Sequence, residues 1–153
     1  MRCLSILIIA SLCPASNAAD WPNWRGPHGN GVADGTGYPT EWSADKNVAW
    51  KHSIDGIGAS TPAVLGDRIF YTSTTDGKNL VTCIGMDGKP VWHKTFGKSQ
   101  EGKRGKDGTG ANPSPVTDGE RVFVYFKSGD FGCFTLDGEL AWQTNVFERF
   151  AEV

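Results

Sequence analysis

The sequence predicts an all-β fold, a partial β-propeller of about two four-stranded blades plus the end strand of another, with no substantial helix in the mature chain. Three observations lead there. The 153 residues include 20 Gly, 8 Pro and 6 Trp set among short apolar runs, which is the composition of a turn-rich β protein. One stretch occurs twice, from Thr61 to Trp92 and from Ser114 to Trp142. The tryptophans that end these stretches, together with Trp50 upstream, are 42 and then 50 residues apart, the period of about 40–50 residues expected for one propeller blade.

The two copies align in order. Pro62 matches Pro115, Gly66 matches Gly119 and Arg68 matches Arg121, and the pair Ile69 and Phe70 matches Val122 and Phe123. After a gap of three residues, Cys83, Asp87, Gly88 and Trp92 match Cys133, Asp137, Gly138 and Trp142. Upstream, Trp50-Lys51 repeats the strand end of both copies as a partial third one. Four strands are expected in each copy: about 59–64, 68–72, 80–86 and 90–94 in the first, and 114–117, 121–126, 131–136 and 140–145 in the second. Gly66-Asp67, Asp118-Gly119, Asp87-Gly88 and Asp137-Gly138 supply residues that accept positive φ between strands, as tight hairpins need. The segments 75–79 and 127–130 form the middle turns. A lone four-stranded sheet leaves its faces uncovered, and stacking blades about an axis buries them. Trp50, Trp92 and Trp142, at the ends of fourth strands, are expected to pack against an adjacent blade, each burying on the order of 200 Å².

The chain divides into residues 1–18, a signal peptide; 19–46, a segment leading into the closing blade; and 47–153, the repeats, with blades at about 59–94 and 112–145. Arg2 precedes a nine-residue, nearly apolar run from Leu4 to Leu12, then Pro14 and small residues up to Ala18 and Ala19. That run is too short to span a bilayer, which takes roughly 20 residues, and it fits a secretory leader cleaved after Ala18. The alternative is an uncleaved N-terminal anchor. Export leaves Cys83 and Cys133 in the mature chain. Equivalent positions in neighbouring blades lie too far apart for a disulfide, so both are expected to be small, buried, free side chains.

A formal net charge of −2 gives no bulk attraction to nucleic acid or an anionic membrane. No His-Glu-x-x-His or Cys-x-x-Cys occurs, and His28, His52 and His93 are scattered, whereas a metal site needs clustered ligands. His52 and His93 are expected at exposed strand positions. The insertion 97–110 is rich in Gly and charge, a solvated loop by composition. Its Lys103 and Arg104 are candidate anion ligands on one face of the propeller. Arg25, between Trp24 and Gly26, either lines that binding face or locks the N-terminal segment through cation–π contact with Trp.

These residues resemble the pyrroloquinoline-quinone-type propeller repeat. The opening from Asp20 to Val32, with its Trp24-Arg25-Gly26-Pro27, and the phrase from Pro39 to Ser43 are similar to the start of a group of exported bacterial proteins with this repeat. The resemblance implies the propeller fold and two contrasting uses: dehydrogenases that hold pyrroloquinoline quinone and Ca²⁺, and scaffolds such as a lipoprotein that assists outer-membrane protein assembly. In the dehydrogenases the docking phrase reads Ala-x-Asp-x-x-Thr-Gly-x-x-x-Trp. Here it is one residue shorter before Gly, with Gly85 and Thr135 where the shorter form often carries Asp. The residues themselves show no cofactor set, so a non-catalytic exported module that binds a protein or small ligand is expected, against the N-terminal part of such a dehydrogenase. Propellers use about 4–8 blades, so further blades are expected to complete the ring.

Overall fold

A computed structural model describes residues 19–100 and 109–151. The leader expected at 1–18, Lys103 and Arg104 lie outside the described residues. Two antiparallel four-stranded sheets follow one another along the chain, each a simple up-and-down meander. The first contains β1 (Ala63–Leu65), β2 (Arg68–Thr75), β3 (Lys78–Gly85) and β4 (Pro90–Phe96). The second contains β5 (Val116–Thr117), β6 (Arg121–Tyr125), β7 (Asp130–Thr135) and β8 (Leu140–Asn145). These are the two expected blades. The first strands are shorter than expected: β1 begins at Ala63, and upstream of Pro62 the line is continued only by an isolated bridge between Ile57 and Thr74. Proline has no N–H to give to a ladder. One turn of helix, α1 (Val146–Arg149), follows β8, with the Asn145 side chain accepting from the amides of Phe147 and Glu148 as its N-cap.

The turns are those that the glycines predict. Asp76 and Gly77, at φ 49° and 73°, close the β2–β3 hairpin as a two-residue loop, the pattern of a type I′ turn. The β3–β4 and β7–β8 turns share one geometry. The amides of Gly88 and Gly138 donate to the carbonyls of Gly85 and Thr135, and the amides of Gly85 and Thr135 donate to those of Lys89 and Glu139. Thr135 Oγ1 accepts from the Glu139 amide at 3.1 Å. Where Gly85 lacks a side chain, Asp87 Oδ1 takes the Lys89 amide instead. The register of both blades shifts at the same repeat position, after Cys83 and after Cys133.

Alternation within the strands decides which side chains meet between blades. Phe70, Val81, Cys83 and Phe96 of the first blade pack with Val122, Val124, Phe126 and Phe134 of the second in one core. Phe96 lies edge-on to Phe134, with ring centres 5.7 Å apart, and covers Gly132, where a Cβ would sit 2.6 Å from its ring.

The repeated tryptophan works between blades. Trp92, on β4, donates its indole N–H to the carbonyl of Leu136 at 2.9 Å, just before the β7–β8 turn of the next blade. Its ring lies on that turn, so a Cβ on Gly138 would sit 2.7 Å from it. Trp50 repeats the arrangement one blade earlier, donating to the Met86 carbonyl at 2.7 Å and lying on Gly88. Arg68 of the first blade donates to the same Leu136 carbonyl and pairs with Asp137 at 3.0 Å. Trp142 and Arg121, the repeat equivalents of Trp92 and Arg68, face outward: Trp142 is 40% exposed, and the Arg121 guanidinium has no ion pair among the described residues.

A second lock lies at the other end of the blade interface. The Asp130 carboxylate accepts from Asn79 Nδ2 at 3.0 Å, Ser128 Oγ at 2.8 Å, the Lys98 amide at 3.3 Å and Asn145 Nδ2 at 3.0 Å. It thereby ties the start of β3, the end of β4 and the end of β8 together.

The expectation for His52 needs correcting. It is half-buried, with Nδ1 3.0 Å from the Gly88 carbonyl and Nε2 2.9 Å from the Tyr71 hydroxyl. A carbonyl only accepts, so in the neutral ring Nδ1 carries the proton and Nε2 accepts from Tyr71. His93 is exposed, as expected. Cys83 and Cys133 are buried and free. Burial pushes the Cys83 thiol up to about 11, against a smaller opposing pull from Arg68.

Two outcomes follow. Gly119, at φ 98°, has no atom near a would-be Cβ, whereas Gly138, at φ 83°, meets Trp92. Gly119→Ala is expected to cost only the left-handed backbone penalty of about 1–2 kcal/mol. Gly138→Ala adds overpacking and is expected to cost about 2–4 kcal/mol in all, read from urea midpoints at equal slope. For the cysteines, iodoacetamide at pH 8 should leave both unmodified in the folded chain and label both in urea. The folded-state pKa of Cys83 is raised, so its contribution to stability is full below the unfolded thiol pKa of about 8.5 and is lost as pH rises through that value toward about 11. The urea midpoint should fall over that window, and less steeply in Cys83→Ala.

Candidate functional site

The N-terminal segment reaches the first-strand side of both blades. Trp21 pairs with Val64 of β1 through two main-chain hydrogen bonds of 2.9 Å, and the Pro22 carbonyl accepts from the Thr117 amide of β5, also at 2.9 Å. Asp20 caps the next turn by accepting from the Gly66 amide at 2.7 Å. The chain then turns sharply. The Gly26 amide donates to the Asn23 carbonyl and the Gly31 amide to the Arg25 carbonyl, both at 2.9 Å. Gly26 has φ 73° and is covered by the Trp21 ring, so a side chain there would meet it at 2.8 Å. The turn is therefore fixed by backbone bonds on one side and an aromatic ring on the other. It holds Trp24 and Arg25 outward, with Trp24 68% exposed.

Between this turn and the entry to β5 lies a cleft of about 540 Å³. Asn23, Trp24 and Arg25 form one wall, and Asn112, Ser114 and Val116 the other. The facing wall is tied down as firmly as the turn. Asn112 Oδ1 accepts from the Thr109 amide at 2.7 Å and its hydroxyl at 2.8 Å, and Ser114 Oγ accepts from the Thr61 amide at 2.9 Å. Thr109 and Gly110, at the end of the charged insertion, are buried, so this end of the loop is anchored in the blade. Arg25 thus stands at the cleft. Among the described residues its guanidinium makes no ion pair and no cation–π contact with Trp, although its backbone amide donates to Asn23 Oδ1 at 3.0 Å.

Two other concavities flank the blades. One, of about 440 Å³, lies on the outer face of the first blade between Trp50, His52, Tyr71 and Ile84. Its one imidazole, His52, has both ring nitrogens engaged, and burial pushes the Tyr71 hydroxyl up. The other, of about 550 Å³, lies beside Trp142 and Phe131 on the outward face of the second blade. Both are faces of the kind that a neighbouring blade covers. The cleft at Arg25 is different, because the N-terminal segment, and not a blade face, forms one of its walls. No single residue in the sequence marks its second wall. Asn112 and Ser114 meet Arg25 only because the N-terminal segment pairs across β1 and β5.

Of the remaining positions, Gly66, Gly119, Asp87, Gly88, Asp137 and Gly138 lie in the hairpin turns, and Trp50 and Trp92 lie on such turns. Hydrogen bonds from two backbone amides hold the Asp118 carboxyl below the usual carboxylate range, and the Lys89 amide does the same for Asp87. Both are turn supports. Among the described residues no three His, Cys, Asp or Glu side chains gather as a metal ion would require. A Ca²⁺ of the kind that accompanies a quinone takes about 6–8 oxygen ligands, whereas of the carboxylates described at the blade interface Asp130 already has its oxygens occupied by four donors and Asp137 pairs with Arg68. The described residues do not fit that ion.

Comparison with curated proteins gives no match. The family model described as outer membrane protein assembly factor BamB matches residues 31–152, most of the chain and both blades. With its two four-stranded blades and their repeated Trp-to-turn contacts, the chain belongs to this family of pyrroloquinoline-quinone-type repeat propellers.

Proposed function

We propose that this chain is part of an exported, non-catalytic propeller that binds a partner protein, with the cleft at Trp24 and Arg25 as a recognition surface. The chemistry of the cleft carries the reading. Amide, hydroxyl, indole and guanidinium groups line it, and a guanidinium stays protonated at any physiological pH. Such groups orient and hold a ligand. Proton transfer at neutral pH instead needs a group that titrates near the working pH. The name of the matched family refers to assembly of outer-membrane proteins, which supports a protein as the bound partner and the periplasm or cell exterior as the place of action. No described helix is long and apolar enough to cross a membrane. The outward-facing Trp142 and Arg121 repeat the positions that grip the next blade, which supports further blades completing the ring.

The test has two arms. A photo-cross-linking residue placed at Trp24 of the full-length protein in its own host should give a discrete protein adduct, and the same residue at exposed Glu139 should give none. In the second arm, pyrroloquinoline quinone and Ca²⁺ are added to the purified full-length protein with an alcohol and a redox dye. No dye reduction is expected. Stoichiometric quinone binding with alcohol-dependent dye reduction would replace the binding module with a dehydrogenase.

A further inference from the structure

Resting on the protein-binding reading, we infer that the cleft recognises a carboxylate carried by an extended polypeptide next to an apolar side chain. The argument comes from which hydrogen-bonding capacity the fold leaves unused. Three polar side chains of the cleft have an oxygen engaged internally. Asn23 Oδ1 takes the Arg25 amide at 3.0 Å, Asn112 Oδ1 takes the amide and hydroxyl of Thr109 at 2.7 and 2.8 Å, and Ser114 Oγ takes the Thr61 amide at 2.9 Å. Backbone N–H groups only donate, so they fix which end of each asparagine amide is the oxygen. Among the described residues the groups left without a partner are mostly donors: the Nδ2 groups of Asn23 and Asn112, the Ser114 hydroxyl proton and the whole Arg25 fork, with the Thr61 hydroxyl beside them.

Among the described residues no Asp or Glu lines the cleft. Donors left over and one permanent cation, with no acidic residue in the described lining, are complementary to an anion rich in acceptors. The single guanidinium selects among anions. Arg presents two parallel N–H groups that match the two oxygens of a carboxylate, whereas a phosphate dianion would leave about one charge uncompensated. The rest of the cleft is apolar. Trp24 is 68% exposed and Val116, opposite, 43% exposed, so an apolar group beside the carboxylate would cover surfaces that otherwise face water. A polypeptide C-terminus with a large final side chain has this pairing of groups, as does an Asp or Glu with an apolar neighbour.

Two probes that differ only in charge test this: acetyl-Ala-Ala-Phe with a free C-terminal carboxylate, and the same peptide as its amide. They are titrated into the full chain at low salt and followed by calorimetry. The free acid should bind at least tenfold more tightly than the amide, and more weakly as salt rises. Arg25→Gln should lower acid binding at least tenfold and leave amide binding and the urea midpoint unchanged. Trp24→Ala should weaken both peptides. Equal binding of acid and amide, no effect of Arg25→Gln, or failure of both to bind overturns the inference. So does inorganic phosphate displacing the acid at lower concentration than acetate does. A cross-linked protein adduct at Trp24 that persists while both peptides fail would overturn the carboxylate and leave protein binding standing.

Discussion

The indole N–H of Trp92, donated to the Leu136 carbonyl, is the contact on which the blade interface depends. A tryptophan at the end of a fourth strand projects beyond its own sheet. It has apolar surface to bury and one proton to satisfy. The turn of the next blade answers both needs, because its carbonyl accepts the proton and its glycine leaves room for the ring. Arg68 reaches the same carbonyl from a different strand of the first blade and adds Asp137. Aromatic ring, carbonyl and guanidinium thus fix the height and angle of one sheet against the other. The core between Phe70 and Phe134 is packed within limits that this clamp sets.

Asp130 closes the opposite end of that interface. A carboxylate taken from water loses strong solvation and must recover it from donors. Four donors supply it here, from two strands, a turn and the segment just after β4. The arrangement carries a local cost, since the Asn79 Oδ1 that accompanies one of these donors is buried without a partner among the described residues. The N-terminal segment depends on the same framework. Its pairing with β1 and β5 requires both first strands to lie side by side, so the wall of the cleft formed by Trp24 and Arg25 is a consequence of the blade contact.

Local features of the sequence were legible and distant ones were not. Asp76-Gly77 and Asp137-Gly138 announce hairpins because positive φ is a property of single residues. The matched spacing of Trp92 and Trp142 announces blades because a repeat is visible without coordinates. The repeat pattern predicts strand from position 59, yet β1 begins only at Ala63, since Pro62 interrupts the ladder. The sequence around His52 predicts an exposed position because nothing within a few residues of it signals Tyr71 or Gly88. The Asp130 lock joins Asn79 to Asn145 across 66 positions of sequence, and no composition or periodicity reports such a meeting. Arg25 was visible as a candidate, but its surroundings of unused donors were not, because Asn112 and Ser114 are ordinary loop residues until Thr109 and Thr61 claim their oxygens.

The reach of the tryptophans has a consequence for how such a chain can change over generations. Trp50 grips a carbonyl 36 residues ahead and Trp92 one 44 residues ahead, each about one repeat away and always in the same direction. Every unit therefore carries a socket for its predecessor and a plug for its successor. A duplicated stretch of gene of that length inherits both halves of the joint in working order, and an insertion placed between a plug and its socket, as at 97–110 between Trp92 and Leu136, leaves both halves in place. Length and loop content can drift while the coupling between units is passed on intact.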